Sequence, residues 1–202
     1  MKMPRFLSGL VLMTVSCIGT TVLTGQDNAA PPDATAMMKL WKQFSTPGEQ
    51  HEKLNALVGK WTTKTKLFMA GPDGPAQESD GQAVFRWVLG KRFLQQEHSG
   101  SMLNEKTEGI GMLGYDNFKK KFTSVWFESV GTATLTSEGL LNRDGSKITF
   151  YGEMDEFLTG EHDKMVRYEL TLPKNDVMTF KIYDLHIGTN GLVVEIVYNR
   201  VK

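Results

Sequence analysis

Gly109-Ile-Gly-Met-Leu-Gly114 matches, letter for letter, the glycine fingerprint that cradles a dinucleotide pyrophosphate. That chemistry needs a buried strand before the glycines and, after them, a helix whose N-terminus receives the phosphates. Here Asn104-Glu-Lys-Thr-Glu108 precedes and Tyr115-Asp-Asn-Phe118 follows, and neither reads that way. The segment reads as a strand whose alternating glycines let a large side chain or a ligand approach the backbone.

The titratable residues offer little ready-made chemistry. His51, His98, His162 and His186 are scattered without metal-ligand spacing, so no metal or other cofactor is expected. His162, between Glu161 and Asp163, reads as part of a solvated loop. His51 lies near a helix start, where it can dock that helix. No Gly-x-Ser-x-Gly elbow is present. Glu153 and Asp155 share a strand face, near a strand end where solvated acids are expected. Val125-Trp-Phe-Glu-Ser129 is more informative. Phe122, Trp126 and Glu128 point one way, so if Trp126 is inward, Glu128 lies in or at the mouth of a cavity and needs a partner, with Arg86, Tyr115, Tyr168 and Tyr183 as candidates.

These residues sit on a repeating pattern. From Trp61 onward, β-branched and aromatic stretches recur about every ten positions between turn signals, the pattern of an antiparallel sandwich or barrel. The spacing predicts ten strands, over 61–69, 81–89, 92–99, 108–115, 122–129, 131–138, 147–154, 164–172, 177–184 and 192–201. Asp144-Gly145 and Asn190-Gly191 read as hairpin dipeptides that accept positive φ, and Lys174-Asn-Asp176 as another reversal. Lys119-Lys-Lys121 reads as a solvated turn. The expected fold is mainly β, an antiparallel up-and-down barrel of about ten strands. Closure removes the open edges and can enclose a small ligand.

Two short helices precede the barrel. Met37, Leu40, Trp41 and Phe44 make an apolar stripe over 36–45, expected to dock on the domain, with a membrane-surface helix as the other reading. Thr46, Pro47 and Glu49 predict a capped second helix running to Val58 and ending at Gly59.

Lys2 and Arg5 followed by the apolar run from Phe6 to Leu23 read as a signal peptide cleaved after Gly25, with a flexible linker over 26–35. The barrel domain then spans 36–202. A secreted or periplasmic protein is expected. The alternative is lipidation at Cys17, the one cysteine, which is the only route by which a membrane is expected as a partner. Basic and acidic residues both number 23, and losing Lys2 and Arg5 leaves 21 against 23, so no nucleic-acid partner is expected.

The helix, then Gly59-Lys-Trp61, then a barrel ending in a strand with Arg200 is similar to the calycin pattern of lipocalins, fatty-acid-binding proteins and nitrobindins. That resemblance implies that Trp61 plugs the closed end and that Arg200 packs over it. A nitrobindin-like haem would need a strand histidine. The last strand carries Glu195 instead, leaving His98 and His186. More closely, Pro47 to Leu54, Leu57 to Trp61, Leu89 to Phe93, Gly114 to Asn117, Trp126 and Glu195 to Arg200 resemble the family named domain of unknown function 1579. That family implies no activity.

On the last strand, alternation alone leaves either Glu195 or Tyr198 inward; if Arg200 marks the inner face, Tyr198 goes with it and Glu195 faces out. The expected cavity lining is Trp87, Tyr115, Trp126, Glu128, Tyr183 and Tyr198. Three functions fit. The leading one is a barrel that binds a small, mostly apolar molecule through one or two polar anchors. The second is an enzyme using Glu128 as acid or base with a tyrosine. The third is a ligand-free interaction domain with a filled barrel.

Overall fold

The computed structural model describes residues 33–103, 105–157, 159–188 and 190–202. The expected leader, Cys17 and most of the expected linker lie outside them. Asp33 caps helix α1 (Ala34–Ser45), its carboxylate accepting from the Ala36 N–H at 2.7 Å. The linker therefore ends earlier than its composition implies. Thr46 closes this helix instead of opening the next: its N–H and hydroxyl both donate to the Lys42 carbonyl, at 3.1 and 2.6 Å.

Helix α2 (Glu49–Lys53) starts at Gly48, and His51 does the work expected of Glu49, its Nδ1 accepting from the Gly48 N–H at 3.2 Å. The helix tightens into a 3₁₀ turn over Leu54–Leu57 before Gly59. Among the described residues no helix is long and apolar enough to cross a membrane.

Ten strands follow: β1 (Gly59–Leu67), β2 (Gln77–Val88), β3 (Phe93–Met102), β4 (Glu105–Asp116), β5 (Lys121–Glu128), β6 (Leu135–Leu141), β7 (Lys147–Glu156), β8 (Glu161–Thr171), β9 (Val177–Asp184) and β10 (Leu192–Arg200). Each pairs antiparallel with the next, and β1 pairs with β10 from Trp61↔Arg200 to Leu67↔Val194, closing the barrel. The expected meander is therefore the observed one. Closure leaves no strand edge unpaired.

Local departures have local causes. The sixth strand begins at Leu135, although Thr132 and Thr134 alternate as a strand would; these residues belong to an exposed loop before it. His162 is on β8 and exposed. Asn190-Gly191 is not a two-residue hairpin. Asp184 Oδ1 accepts from the His186 N–H and starts a 3₁₀ turn over Leu185–Ile187, and Gly188 takes the positive φ. At Asn175 and Asp176, by contrast, φ of 52° and 60° makes the expected tight reversal, with Lys174 and Val177 exchanging both hydrogen bonds.

The 3₁₀ turn, the N-terminus of β1 and the C-terminus of β10 build a closed end. Leu54, Leu57 and Trp61 are buried there, and the Trp61 indole N–H donates to the Leu57 carbonyl at 2.8 Å. The Arg200 guanidinium lies 4.1 Å above the Trp61 ring and donates to the carbonyls of Ala56 and Val58, both at 2.6 Å. Gly59 is required twice. Its φ is +127°, and a Cβ on it would stand 3.0 Å from Arg200 Nη1.

Helix α1 does not dock as expected. None of its residues is buried, and Trp41 is 64% exposed. The Phe44 ring meets Phe118 edge-on at 5.2 Å, and Asn117 donates to the carbonyls of Phe44 and Thr46. The apolar end of the barrel is already covered by α2 and its 3₁₀ turn, so the α1 stripe stays outside.

Candidate functional site

Opposite the closed end, five connections ring the barrel: those after β1, β3, β5, β7 and β9. Side chains near those strand ends, on the inner face, form the candidate site. They are Trp126 and Glu128 of β5, His98 of β3, Lys164 of β8 and Asp184 of β9, with Tyr168 one layer deeper.

Trp126 explains the first two glycines of the series. A Cβ at Gly109 would lie 2.1 Å from Trp126 Cζ2, and one at Gly111 would lie 3.0 Å from its Cε3. The indole therefore rests on bare backbone of β4, as the strand reading of those glycines required. Its N–H donates to Glu128 Oε2 at 3.2 Å. The His98 ring stands beside it, centroids 6.4 Å apart, and His98 Nε2 is 3.4 Å from Thr63 Oγ1. Burial pushes the His98 pKa below its usual value, so its imidazole is neutral at pH 7.

Tyrosines line the next layer. Tyr198 is buried, with its hydroxyl receiving the Gln96 amide at 3.3 Å, and burial pushes its pKa up to about 12. Tyr168 stacks on Phe180 at 6.0 Å between centroids. Its hydroxyl is buried and has no hydrogen-bond partner. Burial, helped by the Glu128 charge, pushes its pKa up to about 12, which keeps the O–H as a donor. Leaving such a group unpaired costs about 1–3 kcal/mol.

A buried ion pair completes the rim. Lys164 Nζ lies 2.5 Å from Asp184 Oδ2, their side chains 6% and 7% exposed, and 3.4 Å from Glu161 Oε2. The hydrogen bond that Lys164 donates to Asp184 raises the Lys164 pKa and holds the cation charged. Sequence reasoning passed over this pair. Its signal was there, since Lys164 falls on the strand face of Val166, Tyr168 and Leu170, and Asp184 on that of Met178, Phe180 and Ile182.

The expected lining residues divide. Trp126, Glu128 and Tyr198 lie on the inner wall. Trp87 and Tyr115 face inward too, but at the closed end: the Trp87 indole donates to Asn55 Oδ1 at 2.7 Å, and Tyr115 packs edge-on against Phe122 and His51. His51 thus docks α2 as expected. Tyr183 is outside the barrel, with the Arg167 guanidinium 4.1 Å over its ring. It shares its face with Lys181, whereas the apolar face of β9 is that of Met178 and Phe180.

Arg86 also lies outside, bonded through both amino groups to Glu97. Tyr168, one of the four candidate partners of Glu128, feels its charge. Glu195 pairs with Lys181 at 2.8 Å on the outer face, so Tyr198 is the inward residue of β10. Asp155 is exposed and bonds His162, and Glu153 borders an outer hollow of about 470 Å³ with Tyr151 and Met165. Among the described residues no cluster of three or more His, Cys, Asp or Glu is placed to hold a metal.

Residues 46–200 match the model of a family described as "Protein of unknown function (DUF1579)". No curated protein matches the chain. Among solved structures, an S-type phycobiliprotein lyase, CPES from Guillardia theta, is similar at a TM-score of 0.51 and 14% identity, over 77% of this chain and 94% of that one. A redesigned β-barrel matches at a TM-score of 0.39 and 14% identity, over 74% of this chain and 96% of that one. The first likeness shows a shared barrel fold.

Proposed function

The chain belongs to the DUF1579 family, and we propose that its barrel binds a small, mostly apolar molecule at the open end, between Trp126 and Tyr168. One observation carries this reading. The barrel interior holds the buried, unpartnered Tyr168 hydroxyl, and Trp126 on the inner face is only half-buried, whereas a core packed only for stability pairs its polar groups. The apolar wall of Phe180, Ile182 and Ile196 supplies the rest of the surface. The barrel fold shared with a phycobiliprotein lyase is consistent with this and lends no substrate.

Binding is favoured over acid–base catalysis, because Glu128 is exposed and engaged by the Trp126 indole instead of standing beside a second catalytic group. The basic and apolar character of residues 2–23 supports export, with Cys17 lipidation as the alternative that would bring a membrane. A docking role has the exposed α1 stripe in its favour.

Native mass spectrometry beside denaturing mass spectrometry of detergent-free protein tests the binding reading. A mass difference lost on denaturation is expected. A bare mass, together with no change in tryptophan emission on titration with apolar probes, would count against it.

A further inference from the structure

The inner wall carries an acceptor-seeking group and, among the described residues, no uncommitted cation. Each described inward or end-capping cation that the binding reading could use is already engaged. Lys164 is held between Asp184 and Glu161. Arg200 is held by Asp176 at 2.9 Å, by the carbonyls of Ala56 and Val58, and by the Trp61 ring. Arg86 and Arg167 are on the outer face, over Glu97 and Tyr183. His98 is neutral, and its Nε2 faces Thr63.

The charge the ligand does meet is negative. Glu128 stands at the mouth, close enough to Tyr168 for its charge to be felt there. Tyr198, the other interior tyrosine, is already bonded to Gln96, and the buried Thr63 hydroxyl faces His98. Tyr168 is the group left wanting a partner, and it is 7% exposed with its hydroxyl facing the interior.

We infer that the barrel selects an uncharged ligand bearing a hydrogen-bond acceptor such as a ketone, ester or amide carbonyl, received by the Tyr168 hydroxyl, and that it rejects carboxylates. This rests on the binding reading above and specifies its ligand class. A carboxylate would leave water for a wall that offers no free cation and would approach the Glu128 charge. A neutral carbonyl carries no such penalty, and it satisfies the orphaned hydroxyl. The Trp126 indole and the neutral His98 ring offer flat apolar faces to the remainder of the molecule.

Three probes of nearly equal shape separate the possibilities: ethylbenzene, acetophenone and benzoate, titrated at pH 7.5 and followed by ligand-observed NMR into the millimolar range. Acetophenone is expected to bind about fivefold or more tighter than ethylbenzene, and benzoate weakest, the advantage of one net hydrogen bond. Tyr168→Phe should erase the acetophenone advantage while leaving ethylbenzene binding unchanged, and near-ultraviolet circular dichroism shows that the variant is folded. Glu128→Gln should strengthen benzoate. Tightest binding by benzoate, or an acetophenone advantage that survives in folded Tyr168→Phe, overturns this inference and leaves the binding reading standing. Failure of all three probes removes the binding reading and this inference with it.

Discussion

The guanidinium of Arg200 stacks on Trp61 while its amino groups tie down the carbonyls of Ala56 and Val58, so one side chain joins the last strand to the plug before the first. Arg200→Ala removes a cation–π contact and leaves two carbonyls and Asp176 without their donor. A loss of about 2–4 kcal/mol is expected, measured as the shift in the urea unfolding midpoint. Gly59→Ala attacks the same joint from the backbone and should cost about 1–3 kcal/mol, because φ of +127° disfavours any Cβ and Arg200 stands against it.

The glycine seat of Trp126 gives a graded pair. Gly109→Ala places a methyl where the indole is, so Trp126 must leave its seat, whereas Gly111→Ala asks for only a small shift. Tryptophan emission should change clearly in the first variant and little in the second. Overpacking should cost the first about 1–3 kcal/mol.

Acid should weaken the fold before the carboxylates titrate. Burial lowers the pKa of both His51 and His98, so between their folded pKa values and the ordinary 6.5 the unfolded chain binds more protons than the folded one. Stability is therefore full above pH 6.5 and falls as pH drops toward the folded values. Urea unfolding at intervals from pH 8 to 5 should show that slope, and His98→Gln should reduce it. An unchanged slope in the variant would remove His98 from the account.

Lys164 and Asp184 are a buried pair, and single and double substitutions should not add. Lys164→Ala strands the Asp184 carboxylate and should cost about 3–5 kcal/mol, while Lys164→Met combined with Asp184→Leu should cost less than Lys164→Ala alone. Thermal and urea midpoints of the three proteins decide it.

Removal of residues 33–45 tests whether α1 belongs to the core. None of its residues is buried, so the barrel's urea midpoint should move by no more than about 0.5 kcal/mol. A loss of several kcal/mol would show that the stripe packs.

Much of the barrel was legible because a strand has a period of two and the turns carry their own chemistry. Met178, Phe180 and Ile182 alternate with Thr179 and Lys181, and Asn175-Asp176 reverses the chain on local grounds alone. Local signals failed where two of them competed. Thr46 could serve either helix and closed α1, because the cap of α2 was met by His51 instead. Thr132 and Thr134 had the alternation of a strand and stayed in a loop.

By itself, then, the order of residues determined that ten strands would meander, that Trp61 and Arg200 would sit at opposite chain ends of one barrel, and which side of most strands would face inward. Period-two alternation records inside and outside; it does not record height along the barrel axis, nor which inward residues several strands apart will meet. Closure and strand stagger decided those. They carried Trp87 and Tyr115 to the plugged end, laid Trp126 across the glycines of β4, joined Lys164 to Asp184, and left the Tyr168 hydroxyl in the interior without a partner, within reach of the Glu128 charge.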